Sequence, residues 1–215
     1  MSARDAIFAA IGADAHPAAT AAALLARVPG LRPDRVGNDA VESFLARLTG
    51  PSVAATAARV ASLAEVPAAV RDYLRVRGLG PRIALQPAAA LRALDWAGLE
   101  THGGIAVDEA ASVCLAAYAV AETGSLVFRS GADMPVLFAF LPMHHIVVVE
   151  AAGVVAWLED CAAREAGRPA PRNLILVTGP SGTTDIEGVL VRGAHGPGHL
   201  HVILAGAGAG VAESS

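Results

Sequence analysis

The chain has 215 residues, of which 54% are hydrophobic, and a formal net charge of −4 at pH 7. This length suits one domain with a substantial core. Acidic and basic residues are interspersed, so the sequence lacks the basic face that general nucleic-acid binding requires. The 16 residues counted as lysine plus arginine are all arginines, which excludes a Schiff-base lysine and a P-loop lysine.

Signals for membrane insertion, secretion and redox cofactors are also missing from the sequence. No apolar run reaches the roughly 18 residues of a membrane-spanning helix, and residues 1–5 lack the pattern of a secretory signal. We therefore expect a cytoplasmic protein. Cys114 and Cys161 lie far apart without a CxxC motif and cannot hold an iron–sulfur cluster alone. We expect both cysteines to be buried, and we predict no bound metal or cofactor.

The first third of the chain is dominated by helical patterns. Residues 1–50 are rich in alanine and are predicted to form a helical N-terminal extension. Its last helix is marked by an apolar stripe made of Val41, Phe44, Leu45 and Leu48. A short strand at 52–57 and a helix at 63–74 are predicted to follow.

Beyond residue 82, short apolar strands alternate with turns and helices. The predicted strands are 82–86, 112–119, 125–128, 146–150, 173–177 and 200–205. A helix is predicted at 152–166, because its apolar spacing stops at a Gly-Arg-Pro sequence. Continuous apolar strands joined by helices indicate an α/β domain at 51–205 with a mostly parallel sheet covered on both faces, and 206–215 is predicted to be a flexible tail. No GxGxxG motif follows a strand, so a nicotinamide-dinucleotide site is not predicted.

Glu122 lies in a turn between two apolar strands and is the candidate catalytic residue. A carboxylate is costly to bury unless it is paired or functional, and a desolvated one suits acid–base or nucleophilic chemistry. Its neighbours Thr123, Gly124 and Ser125 are then candidate ligand contacts. The alternative, that Glu122 pairs with an arginine or accepts hydrogen bonds from turn N–H groups, stays open.

A turn rich in glycine, serine and threonine follows the strand predicted at 173–177. In open α/β sheets, ligands bind beyond the carboxyl ends of strands, where backbone N–H groups of such a turn can meet an anion. The candidate anion-binding residues of this turn are Gly179, Ser181, Gly182 and Thr183. Thr184 and Glu187 fit a capping box, which predicts that a helix starts here, with Asp185 stabilised in its first turn.

Histidines are concentrated in the segment 193–201, which holds three of the seven. His195 is flanked by glycines and is the candidate polar ligand contact. His199 and His201 fit exposed or core positions, and the three do not match a common zinc motif.

Other candidates lie at predicted strand ends. His144 and His145 are adjacent in the sequence, so at most one of them can face a given site. Arg129 follows a strand and Arg192 precedes the histidine-rich segment, which makes both candidate ligands for an anion.

Four segments occur here in the order found in a known family. They are AVAETGSLV at 119–127, LPMHHIVV at 141–148, TGPSGTTDIE at 178–187, and GAHGP at 193–197 with LHVIL at 200–204. In these segments the chain resembles the lactate-utilisation protein C family, whose LUD domain would cover residues 51–205. The resemblance implies a three-layer α/β/α fold like that of ribose-phosphate isomerases, glucosamine-phosphate deaminases and CoA transferases.

The same resemblance implies an accessory role in bacterial oxidation of L-lactate to pyruvate, together with iron–sulfur partner proteins. Two alternatives stay open: an enzyme that acts on an anionic metabolite (an acyl-CoA, a phosphosugar or a folate) through Glu122, and a non-catalytic module that binds or senses a ligand. Some CoA transferases use a glutamate followed two residues later by glycine, as in Glu122-Thr-Gly, but this is an analogy of fold. The chain departs from the family at Ala117, where an acidic residue is common, and at Gly182, where a basic residue is common.

Overall fold

The computed structural model describes residues 2–12, 18–27, 36–184 and 190–206. The chain divides into two compact units, Met1–Arg35 and Val36–Ser215. The first unit contains the helices α1 (Ala3–Gly12) and α2 (Ala18–Leu25). In α1, the apolar side chains of Ile7 and Phe8 are exposed.

The second unit contains the remaining described elements. Its helices are α3 (Ala40–Thr49), α4 (Val66–Val76), α5 (Ala89–Arg92) and α6 (Asp160–Glu165), with 3-10 turns at Leu63–Glu65, Val136–Ala139 and Ala151–Gly153. Its strands are β1 (Thr56–Val60), β2 (Arg82–Leu85), β3 (Glu100–His102), β4 (Ala111–Leu115), β5 (Tyr118–Val120), β6 (Ser125–Arg129), β7 (His144–Glu150), β8 (Val154–Val155), β9 (Leu174–Val177), β10 (Gly182–Thr184), β11 (Leu190–Arg192) and β12 (His199–Ala205).

A parallel sheet of six described strands forms the centre of this unit. The strand order is β1-β12-β7-β4-β2-β3, and every neighbouring pair is parallel. Central strands such as β7 are buried over nearly their whole length, as expected for a parallel sheet that is covered on both faces. The prediction of an α/β fold with a mostly parallel sheet is therefore confirmed.

Two apolar cores cover the two faces of the central sheet. On one face, α4 and α5 pack against side chains such as Ile146 and Ile203. On the other face, α3 packs together with a second sheet, of order β8-β5-β6-β9, against side chains such as Val147 and Val202. Phe44 of α3 is fully buried in this second core, so α3 belongs to the sheet unit.

The strand β9 lies in the second sheet, not in the parallel one. It pairs antiparallel with β6 and has no other strand partner among the described residues. Ile175 and Val177 contact the core, whereas Leu174 and Leu176 are exposed. The interpretation of 173–177 as a strand whose carboxyl end marks a parallel-sheet ligand site was therefore wrong, although the strand itself is present.

Two further local predictions differ from the structure. The predicted strand 112–119 is divided into β4 and β5, because the chain leaves the parallel sheet at Ala116 and enters the second sheet. The predicted helix 152–166 is helical only in α6, because β8 pairs with β5. Thr184 ends a strand that pairs antiparallel with β11. Asp185 and Glu187 of the predicted helix start lie outside the described residues, so the capping box stays a prediction. No helix in the described part of the chain is long and apolar enough to cross a membrane.

Candidate functional site

Four histidines meet at the edge where the parallel strands begin. His144 and His145 open β7, and His199 and His201 lie at the start of β12. The register places His199 beside His144, and Leu200 beside His145. Because side chains alternate along a strand, His144, His199 and His201 share the α4 face, whereas His145 points to the opposite face.

On the α4 face the histidines form a compact aromatic cluster with Tyr73. The Tyr73 hydroxyl lies 2.9 Å from Nδ1 of His144, and the ring of His201 stacks on that of Tyr73 at 4.3 Å. His199 stacks on His144, also at 4.3 Å, and Nδ1 of His201 lies 2.8 Å from Oγ1 of Thr56. The expectation that His199 and His201 occupy exposed or core positions agrees with this arrangement, since His199 is exposed and His201 is buried.

The electrostatics of this cluster keep its imidazoles uncharged. Burial lowers the pKa of His144 to about 4, and the charges of His199 and Arg77 add to the effect. Burial lowers the pKa of His201 to about 4 as well, again assisted by Arg77. Among the described residues, no group of three or more His, Cys, Asp or Glu side chains is arranged so that it could hold a metal ion. The cluster is best understood as a hydrogen-bonded part of the core.

On the opposite face, His145 is fully buried and lacks a hydrogen-bond partner. Its ring packs against Phe128 at 5.6 Å between centroids, and neither ring nitrogen has a partner within the described part of the chain. Burial lowers its pKa to about 3, so the ring is neutral at pH 7. An unsatisfied buried polar group costs about 1–3 kcal/mol, and such an exception to the general rule needs an explanation.

His145 lines a cavity of about 270 Å³ that the family-like segments enclose. Thr178, Gly179 and Ser181 come from the turn after β9, and His195 comes from the glycine-rich loop after β11. Thr178 and His195 are exposed while His145 is buried, so the cavity extends from the surface down to β7. The 178–181 and 193–197 segments meet here, at the amino-terminal edge of the parallel strands.

Backbone hydrogen bonds fix the turn that forms one wall of the cavity. The Ser181 N–H donates to the Pro197 carbonyl at 2.7 Å, and the Gly193 N–H donates to the Ser181 carbonyl at 3.0 Å. The N–H group of Ser181 is therefore not free for an anion. The backbone of Ser181 therefore does not form the predicted anion-binding nest. The polar groups that this turn contributes to the cavity are the side-chain hydroxyls of Thr178 and Ser181.

Gly179 holds this turn close to the chain segment before β1. Its φ is +102°, and a Cβ atom at this position would lie 2.8 Å from the Val53 carbonyl oxygen. We expect Gly179→Ala to lower the free energy of unfolding by about 1–3 kcal/mol, because both the left-handed backbone and the contact oppose a side chain. The measurement is urea denaturation. The control is Gly167→Ala, where φ is +74° but nothing lies within 4 Å of the added Cβ; an equal loss in both variants would contradict a role for the Val53 contact.

A chain of hydroxyl groups links the Glu122 turn to the cavity. Thr123 Oγ1 lies 2.7 Å from Ser125 Oγ, which is itself hydrogen-bonded to Oγ1 of Thr178. Glu122 is not among the residues that line this cavity, and its Oε2 accepts a hydrogen bond from the N–H of Leu158 at 3.3 Å. Thr123 and Ser125 are thus linked to the cavity through Thr178. The Glu122 carboxylate is instead hydrogen-bonded to the backbone of Leu158.

The close packing of its turn against α3 explains why residue 124 is a glycine. Its φ is +71° in the turn between β5 and β6, and an added Cβ atom would lie 3.1 Å from the backbone N of Leu48 in α3. The glycine lets this turn pack directly on the helix.

The other predicted ligand contacts that the structure describes are not among the residues that line the cavity. Arg192 and Thr183 are exposed on the β10–β11 hairpin, where Arg192 is the register partner of Gly182. Asp185 is outside the described residues. Arg129 was a candidate anion ligand, but its guanidinium forms an ion pair with Glu165 and donates to the Pro169 carbonyl at 2.6 Å.

Sequence reasoning missed the connection between the cavity and an acidic neighbour. A second cavity of about 480 Å³ shares Phe140, His195 and Gly196 with the first, and Asp108 and Glu109 also line it. Glu109 is nearly buried, with Oε1 lying 3.3 Å from Nε2 of His102. No motif marks these residues, so the sequence offers no signal for them.

The chain resembles known proteins over most of its length. The family model of the LUD domain matches residues 8–205 of the chain. The chain is similar to lactate utilization protein C of Bacillus pumilus, with 34% identity over 106 residues that cover 47% of this chain and 44% of the relative. It is also similar to the protein of that name in Deinococcus radiodurans, with 35% identity over 96 residues, 42% of this chain and 43% of the relative. The matched segment thus spans less than half the length of these curated relatives.

A solved structure supports the fold. The crystal structure of a DUF162 family protein from Deinococcus radiodurans has a TM-score of 0.56 and 26% sequence identity, and the match covers 78% of this chain and 96% of that chain. The resemblance to the lactate-utilisation protein C family is confirmed by these matches.

Proposed function

Because the chain belongs to the LUD domain family, we propose that it is a component of bacterial L-lactate utilisation, the oxidation of L-lactate to pyruvate. The observation that carries this proposal is the meeting of family-like segments at one cavity. Residues from 141–148, 178–187 and 193–204 line it directly, and the 119–127 segment reaches it through the Ser125–Thr178 hydrogen bond. The names of the relatives from Bacillus pumilus and Deinococcus radiodurans support the pathway.

We further propose that iron–sulfur partner proteins carry the electrons. Oxidation of L-lactate to pyruvate releases two electrons, which need an acceptor. Cys114 and Cys161 belong to different apolar clusters of this chain, and burial raises the pKa of Cys114 to about 12. These two thiols cannot together hold an iron–sulfur cluster, which needs about four protein ligands.

Within such a system, the geometry favours a role in binding a ligand over a role for Glu122 as a nucleophile. The Glu122 carboxylate accepts a backbone hydrogen bond and does not line the cavity. The side chains that do line it include His145, His195 and Ser181, which can donate and accept hydrogen bonds. A cytoplasmic location is part of the same proposal.

Deletion of the gene in its own host tests the proposal. We expect growth on L-lactate as sole carbon source to be lost, because the electrons of lactate then have no complete route to their acceptor. Growth on pyruvate should be unchanged, since pyruvate lies beyond the oxidation step. The measurement is the growth rate of the deletion strain on each carbon source.

Complementation provides the control. The wild-type gene supplied on a plasmid should restore growth on L-lactate. Unimpaired growth of the deletion strain on L-lactate would show that the proposed function is wrong, provided that the host encodes no second copy.

A further inference from the structure

We propose that the 270 Å³ cavity binds a small monocarboxylate carrying a 2-hydroxy or 2-oxo group, and that His145 hydrogen-bonds to that oxygen. The class of acid rests on the proposed function. The existence of the binding site rests on the geometry alone.

The unpaired ring of His145 supports a bound ligand. Its side chain is fully buried and is one of those that line the cavity, and neither ring nitrogen has a protein partner among the described residues. A neutral imidazole presents one N–H donor and one acceptor nitrogen. A hydroxyl group can satisfy either nitrogen, and a carbonyl oxygen can accept from the N–H.

The chemistry of the cavity lining fits a ligand with little negative charge. Thr178 and Ser181 contribute hydroxyl groups, and His195 lies near the opening, whereas Leu176, Leu200 and neighbouring side chains form an apolar wall. No arginine, aspartate or glutamate is among the lining residues that the structure describes. Phosphate and polyphosphate groups are usually met by arginine or by free backbone N–H groups, so this lining suits at most one negative charge.

The volume of the cavity fits a small ligand. Pockets for drug-sized ligands usually measure about 300–1,000 Å³, and this cavity, at about 270 Å³, is smaller. A CoA or folate molecule would not fit within it. A three-carbon acid can place its carboxylate near the hydroxyls and His195, with its 2-oxygen directed towards His145.

The test is a titration of the full-length protein followed by NMR of the imidazole nitrogens. L-lactate, pyruvate, propionate and inorganic phosphate are added in parallel, and the His145 signals are assigned from their loss in His145→Phe. We expect L-lactate or pyruvate to shift the His145 signals saturably. Propionate has the carboxylate but no 2-oxygen and should bind about tenfold more weakly, the loss expected for one hydrogen bond to a buried group.

Two variants separate binding by His145 from effects on folding. In His145→Phe, which keeps a ring against Phe128, L-lactate and propionate should bind with equal affinity. In the matched control His144→Phe, whose ring lies on the opposite sheet face, the preference for L-lactate should remain. Thermal denaturation confirms that each variant is folded.

The outcomes distinguish this inference from the proposed function. Absence of saturable binding of both L-lactate and pyruvate to the wild-type protein would overturn the inference, as would phosphate binding at least as tightly. Equal affinity of the wild-type protein for L-lactate and propionate would also overturn it. Because these results come from the purified protein, the growth defect of the deletion strain can stand even when the inference fails.

Discussion

Removal of residues 1–50 is expected to prevent the sheet unit from folding, whereas removal of residues 1–35 is expected to leave it folded. The reason is α3, which lies between the two cut points. Phe44 and Leu48 of this helix are fully buried between the central sheet and the second sheet. Loss of one large buried side chain costs about 2–5 kcal/mol, and whole domains are stable by only about 5–15 kcal/mol. The measurement is circular dichroism with thermal and urea denaturation of residues 36–215 and 51–215.

A point variant in the full-length chain provides the control. Phe44→Ala should lower the free energy of unfolding by about 3–5 kcal/mol without removing any residue. Glu42 lies on the same helix as Phe44 and forms an ion pair with Arg59 of β1, so Glu42→Ala should cost at most about 1 kcal/mol. Cooperative unfolding of the 51–215 fragment at the temperature of the 36–215 fragment would contradict the structural role of α3.

The parallel sheet was largely predictable because its strands carry a strong local signal. The inner parts of β7 and β12, residues 146–149 and 202–205, are apolar runs, as expected for strands that are buried on both faces. The helix α4 has its apolar residues at helical spacing and appears where it was predicted. In these elements, local pattern and tertiary environment agree.

The second sheet was not predictable in this way. β9 has the same apolar composition as a buried strand, but half of its side chains are exposed. Within 152–166, the two valines of β8 pair with β5 instead of continuing a helix. This pairing partner is distant in sequence, so the local pattern cannot identify it. Local periodicity cannot identify which of two sheets a strand joins.

Among the residues that line the cavity, Gly179, Ser181 and His195 were candidate ligand contacts in the sequence, but the edge of the sheet where they lie was not predicted. The segments around Ser181 and His195 do meet, yet they meet at the amino-terminal edge of the parallel strands, because β9 pairs with β6 and not with a parallel neighbour. His145 could not be separated from His144 by sequence. Which of the two faces the cavity depends on the register of β7, and a shift of one residue would exchange them.

Acidification is expected to unfold the protein at a pH where most of its carboxylates are still charged. Burial holds the pKa of His145 at about 3 and those of His144 and His201 at about 4, whereas an imidazole in the unfolded chain has its ordinary value of 6.5. The unfolded chain therefore binds more protons than the folded one at any pH between these values. Stability is complete above about pH 6.5 and is lost as the pH falls from there through 4.

The size of the effect follows from the number of imidazoles. Each one lowers the free energy of unfolding by up to about 1.4 kcal/mol per pH unit within that window, so three contribute up to about 4 kcal/mol per unit. The effect exceeds that of a surface carboxylate such as Glu42, whose pKa is lowered by its hydrogen bond to Arg59 and whose contribution is lost only below its ordinary value of 4.5. The midpoint of urea unfolding, measured at pH 7.5, 6.5, 5.5 and 5.0 at constant ionic strength, should fall steeply below pH 6.5.

His145→Phe identifies the source of this acid sensitivity. The variant lacks one of the three imidazoles, so the free energy of unfolding that is lost per pH unit should be about one third smaller than in the wild-type protein. The variant also lacks one unsatisfied buried polar group. It should therefore be the more stable of the two at pH 5, while losing the preference for a 2-oxygen on the ligand. A midpoint that is the same at pH 7.5 and pH 5.0 in the wild-type protein would contradict the burial of neutral histidines at this edge. Increased acid stability together with lost ligand preference would show that the chain retains an unsatisfied buried histidine for binding, at the expense of stability.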